Sequence, residues 1–93
     1  MSLSDQGSES GRLADNIMHF ARLLRTTGIP VGSDRVINTI RSVQEVGIGT
    51  REEFYWTLFA NLVSRQEQRE LFDQAFHIFW RNPRILEKLL GAM

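Results

Sequence analysis

The chain has 93 residues, enough for one domain and too few for two. Eleven basic residues balance eleven acidic ones and there is no cysteine, so disulfides, thiolate catalysis and Cys-based zinc sites are excluded, and the basic excess of a phosphate-gripping protein is missing. Hydrophobic residues at 42% and charged residues at 24% describe an ordinary globular chain.

No stretch approaches the roughly 18 consecutive apolar residues that span a bilayer, and the N-terminus lacks the apolar core of a signal peptide, so no membrane insertion and a cytoplasmic location are expected. Met1 to Gly11 is rich in Ser and Gly and reads as a flexible leader, residues 1–11, ahead of a helical domain at 12–93.

The first helix is expected from Gly11 to Thr27. Leu13, Ile17, Phe20, Ala21 and Leu24 form one apolar stripe along it. Gly28 suits a left-handed cap, and Pro30 prevents continuation, so Gly28 to Gly32 reads as a structured connector with Ile29 folded back on the last turn. Gly32 or Ser33 opens the second helix. Asp34 lies where the helix dipole favours negative charge, and Val36, Ile37, Ile40 and Val43 form the apolar side. Gly47 ends it.

Thr50-Arg-Glu-Glu53 is a capping box for a third helix running to about Val63, and Ser64-Arg-Gln-Glu67 repeats the signature for a fourth running to about Arg81. Asn82 followed by Pro83 reads as the start of a short fifth helix carrying Ile85, Leu86, Leu89 and Leu90. The expected fold is all-α, a compact bundle of about five short helices.

Chemistry-bearing residues are few. Asp15 with His19, and Asp73 with His77, are i, i+4 pairs able to hydrogen-bond on one helix face. Helical geometry turns both away from the apolar stripes, toward water, so a metal site inside the bundle is not expected. Ser33, Thr50 and Ser64 are explained as caps, and no Gly-rich phosphate loop is present. Catalytic, metal and cofactor residues are therefore none. The second helix displays Arg35, Asn38, Arg41 and Gln44, the best case for a helix-turn-helix-like nucleic-acid reader, although neutral net charge opposes it.

The aromatic residues stand apart. Of six Phe, two Trp and one Tyr, all but Phe20 fall between Phe54 and Trp80. On the third helix Phe54, Tyr55, Trp56, Leu58, Phe59, Leu62 and Val63 cover most of the circumference, so it is either the centre of the bundle or a surface offered to a partner. Tyr55, Trp56, Phe59, Phe76 and Trp80 are the candidate partner-binding residues, with one of the two tryptophans expected to line an exposed apolar patch.

The segments Leu-Ala-Asp-Asn-Ile-Met-His-Phe-Ala-Arg-Leu-Leu-Arg (13–25), Gly-Ile-Pro-Val-Gly (28–32), Val-Gly-Ile-Gly-Thr-Arg-Glu-Glu-Phe-Tyr-Trp (46–56) and Val-Ser-Arg-Gln-Glu-Gln-Arg-Glu-Leu-Phe-Asp-Gln-Ala-Phe-His-Ile-Phe-Trp (63–80) resemble the N-terminal region of bacterial CoxE-like proteins that contain a von Willebrand factor A domain. The resemblance implies a soluble, non-enzymatic interaction module. It also implies partners: the protein's own A domain, a MoxR-type AAA+ ATPase, or a client metalloenzyme in maturation. The Asp-x-Ser-x-Ser metal motif of such A domains does not occur in this chain, which reads as the helical part of a longer protein.

Overall fold

The computed structural model describes the backbone of residues 2–81 and the side chains of residues 12–81. Four α-helices follow one another among these residues: α1 (Ser2–Thr27), α2 (Ser33–Val46), α3 (Arg51–Leu62) and α4 (Arg69–Phe79), with a single 3-10 turn at Gln66–Gln68 before α4. The fold is all-α. The expected fifth helix from Asn82 lies outside the described residues. The Cα radius of gyration, 12.9 Å, is that of a compact chain of this length.

Helix α1 buries the anticipated stripe: Leu13, Ile17, Phe20, Ala21 and Leu24 all lie in the core. Its backbone is helical from Ser2, not from Gly11, so helix continues through the stretch expected as a leader. Once the buried stripe fixes the helix, each residue added at its N-terminus requires propagation alone, and Ser and Gly only weaken that step. At the other end Gly28 takes φ +108°, a region open to glycine, and the chain reverses. The Ile29 N–H donates to Leu24 O at 3.0 Å and Ile29 is buried, closing the cap with an apolar contact. Arg25 Nε donates to Val31 O at 2.8 Å and fixes the connector.

Helix α2 faces inward through Val36, Thr39 and Val43, with Ile40 half-buried. This differs from the apolar pattern at Ile37, which is exposed. Thr39 takes the inward place because its Oγ1 donates to Arg35 O at 2.7 Å, so its hydroxyl needs no other partner. Gly47, at φ +87°, ends the helix as expected.

The first capping box forms. Glu53 N donates to Thr50 Oγ1 at 3.1 Å, and Thr50 N donates to Glu53 Oε1 at 2.8 Å. The second does not. Val63 is buried with an extended backbone, which leaves Ser64 one residue short of the cap position taken by Arg65, and α4 starts after the 3-10 turn with no side-chain cap at Gln68. Burial of one valine outweighs a cap contributing about 1 kcal/mol. The α4 C-terminus is instead satisfied across the bundle: Arg51 donates through a terminal guanidinium nitrogen to Trp80 O at 2.8 Å, and its guanidinium lies over the Phe76 ring at 5.1 Å.

The core is an aromatic cluster. Phe20 packs on Phe72, Phe76, Phe79 and Trp80 of the α4 segment, and Phe54 packs on Phe76 and on Trp80, the latter at 4.9 Å. Replacing Phe20 by Ala is expected to cost about 3–5 kcal/mol, a large part of what so small a domain has, read as a lowered urea midpoint.

The hydrogen bonds from the Thr50 backbone, and then from its side chain, hold the Glu53 carboxyl below its ordinary value of 4.5. A lowered folded value means that the contribution is present above pH 4.5 and is lost as pH falls through the folded value. The Glu53→Gln variant is expected to lose part of the acid-side slope of stability against pH, measured by urea unfolding followed by circular dichroism.

Candidate protein-interaction surface

Helix α3 buries Phe54, Leu58 and Leu62, which are four residues apart and so lie along one line of the helix. With that line inward, Tyr55 and Phe59 fall at the α4 interface, half-buried, and Trp56 falls outside, with 43% of its surface exposed. Trp56 is thus the tryptophan on the surface. Its ring packs edge-on against Tyr55 at 4.9 Å and Phe59 at 5.9 Å, while the Arg69 guanidinium lies over it at 5.0 Å. These contacts hold the indole on the rigid α3–α4 pair.

Beside it runs a groove of about 340 Å³ formed by Val46, Gly47, Ile48, Gly49, Glu53, Trp56 and Thr57. Val46 is 82% exposed, so two large exposed apolar side chains, Val46 and Trp56, line one depression with Glu53 as its charged group among the described residues. Val46 and Ile48 carry no helix-stripe signal, and the turn at Gly47, which is legible, is what brings them to Trp56.

Phe76 and Trp80, also expected among the partner-binding residues, are buried at 2% exposure and belong to the core. The reason is Phe20, whose ring is received between them on the inner side of α4. Trp80 Nε1 is buried without a hydrogen-bond partner among the described residues, a polar cost offset by the ring contacts with Phe20, Phe54 and Phe79.

The Asp/His pairs divide. Asp15 and His19 are both exposed. Asp73 is half-buried and accepts a hydrogen bond from the Tyr55 hydroxyl, so its partner is on α3, while His77 is exposed. Among the described residues no group of three or more His, Asp or Glu is placed to hold a metal ion. Of the α2 polar set, Arg35 is half-buried and donates to Asn61 O at 3.4 Å; Asn38, Arg41 and Gln44 are exposed. The guanidinium that would lead a nucleic-acid-reading face is committed to α3.

Residues 17–83 match the family model of the CoxE N-terminal helical bundle domain, well over half of the chain. The chain belongs to this family. No curated protein and no solved structure matches it. In this CoxE N-terminal bundle the matched span covers the C-terminal part of α1 together with α2, α3 and α4, and so includes the whole aromatic core and the Trp56 groove. No described helix is long and apolar enough to cross a membrane.

Burial and then the Asp73 carboxylate push the Tyr55 phenol above its ordinary value of 10.0, against a smaller opposing effect of Arg69. A raised folded value means that the contribution to stability is present below pH 10.0 and is lost as pH rises through the folded value. Tyr55 is the sole tyrosine, so tyrosinate absorbance reports it alone. Its titration is expected above that of free tyrosine, and Asp73→Asn is expected to bring it down.

Proposed function

We propose that the domain is a non-enzymatic protein-interaction module of a CoxE-like von Willebrand factor A protein, acting in the cytoplasm, where it assists a MoxR-type AAA+ ATPase in the maturation or assembly of a metalloenzyme. The observation that carries the reading is Trp56. A large indole, held by Arg69 and by two rings, borders an apolar groove at the surface instead of completing the core. Anchors of this kind, aromatic and backed by a rigid scaffold, supply most of the energy in protein interfaces. Family membership supplies the context, and the partner class follows from the resemblance to CoxE-like proteins.

The candidate partners are the A domain of the same protein, the ATPase and the client enzyme. Each is tested with the tagged domain as bait against the purified candidate. Capture of at least one is expected. Trp56→Ala is expected to weaken that capture about ten-fold or more, as for a hot-spot tryptophan, with helical circular dichroism unchanged. Capture of none, or equal capture by the variant, counts against the reading.

A further inference from the structure

A second groove lies between α1 and α2. It has a free volume of about 280 Å³ and is lined by Met18, Arg22, Arg25, Ser33, Val36, Ile37 and Ile40. Met18 and Ile37 are both more than half exposed, so its floor is apolar and open. Among the described residues its charged lining groups are Arg22 and Arg25, both near the connector end. Asp34, one residue beyond Ser33, is turned back so that its Oδ1 occupies the space a Cβ at Gly32 would need.

Helix α4 displays a face of matching character. Leu71 is 39% exposed and Ile78 is 64% exposed. Glu67 and Glu70 are exposed at the N-terminal end of the same segment, beside an exposed Arg65 and with the Arg69 guanidinium drawn over Trp56. Leu71 and Ile78 are two helical turns apart, about 10.5 Å, which is also the separation of Met18 from Arg25 and of Ser33 from Ile40 along the groove walls. One orientation places Glu67 and Glu70 at the Arg22/Arg25 end and Ile78 at the Met18/Ile40 end.

We propose that the α1–α2 groove receives α4 of a second copy of the chain, with Leu71 and Ile78 on the apolar floor and Glu67 and Glu70 facing Arg22 and Arg25. In a two-fold dimer the contact occurs twice, each copy giving α4 and receiving α4. Residues 84–93 are a poorer occupant by charge, since Arg84 and Lys88 outnumber Glu87 and would face two arginines. The proposal uses none of the Trp56 groove, so it stands or falls apart from the partner reading above.

A charge-swap pair tests it. Arg22 and Glu70 are both exposed, so reversing either leaves the core intact. The 93-residue chain is expected to dimerise with rising concentration in sedimentation equilibrium. Arg22→Glu alone and Glu70→Arg alone are each expected to weaken dimerisation about ten-fold, as like charges meet across the contact. An equimolar mixture of the two variants restores both opposite-charge pairs and is expected to recover association. Ile78→Asp is expected to abolish it whatever the salt. A chain that stays monomeric up to millimolar concentration overturns the proposal. So does a mixture of the two variants that associates no better than either alone.

Discussion

Phe20 is the only aromatic side chain contributed by α1 and α2, and its ring centroid lies 5.4 to 6.2 Å from four rings of the α4 segment. No disulfide ties this small chain together, so the bundle depends on that packing. Phe54 meets two of the same rings, Phe76 and Trp80, and docks α3 on the other side of the cluster. Edge-to-face geometry recurs through the set, adding roughly 0.5–1.5 kcal/mol per pair to what burial alone provides. Arg51 fastens the end of the cluster by satisfying the Trp80 carbonyl and covering Phe76, so the start of α3 and the end of α4 are held as one corner.

The same packing fixes which side of α3 meets solvent. A helix has room for one inward line, and Phe54, Leu58 and Leu62 occupy it. The remaining apolar residues divide by their angular distance from that line. Tyr55 and Phe59 reach α4, where the half-buried Tyr55 packs its ring on Phe72 and places its hydroxyl on Asp73. Trp56 lies beyond reach of α4's inner face; it packs on Tyr55 and Phe59 of its own helix and, from α4, on Arg69 at the rim. Its exposure is therefore a consequence of the aromatic core and not a local accident. A shift in the docking of Phe20 would rotate the surface as well as loosen the interior.

What the sequence revealed, and what it hid, follows the range of the interactions concerned. The α1 stripe, the glycine caps at Gly28 and Gly47 and the Thr50–Glu53 box are all set by residues within a few positions of one another, and each is legible. The misplacements come from contacts distant in sequence. Ile37 and Thr39 exchange roles because neighbouring helices decide which side of α2 is inward, and a threonine able to bond its own backbone tolerates burial. Ser64 loses its cap to the burial of Val63. Asp73 pairs with a tyrosine 18 residues away instead of the histidine four residues along. Trp80 sits at the margin of its helical arc, yet Phe20 and Phe54, far away in sequence, enclose it. Trp56 was identifiable as a candidate from the apolar surplus of α3, whereas Val46 became part of its groove only through the turn at Gly47.

The two grooves differ in the sign of their charge although the chain as a whole is neutral. Among the described residues, Arg22 and Arg25 are the ionic groups of the α1–α2 groove, and Glu53 is that of the groove beside Trp56. Apolar floors attract any apolar surface with little discrimination, and it is the charge at the rim that admits one partner and repels another. Helix α2 forms a wall of the first and its last residue, Val46, lines the second, so both surfaces are carried on one rigid element. For a domain proposed to hold proteins together without chemistry of its own, helix α2 thus links the two proposed contact surfaces.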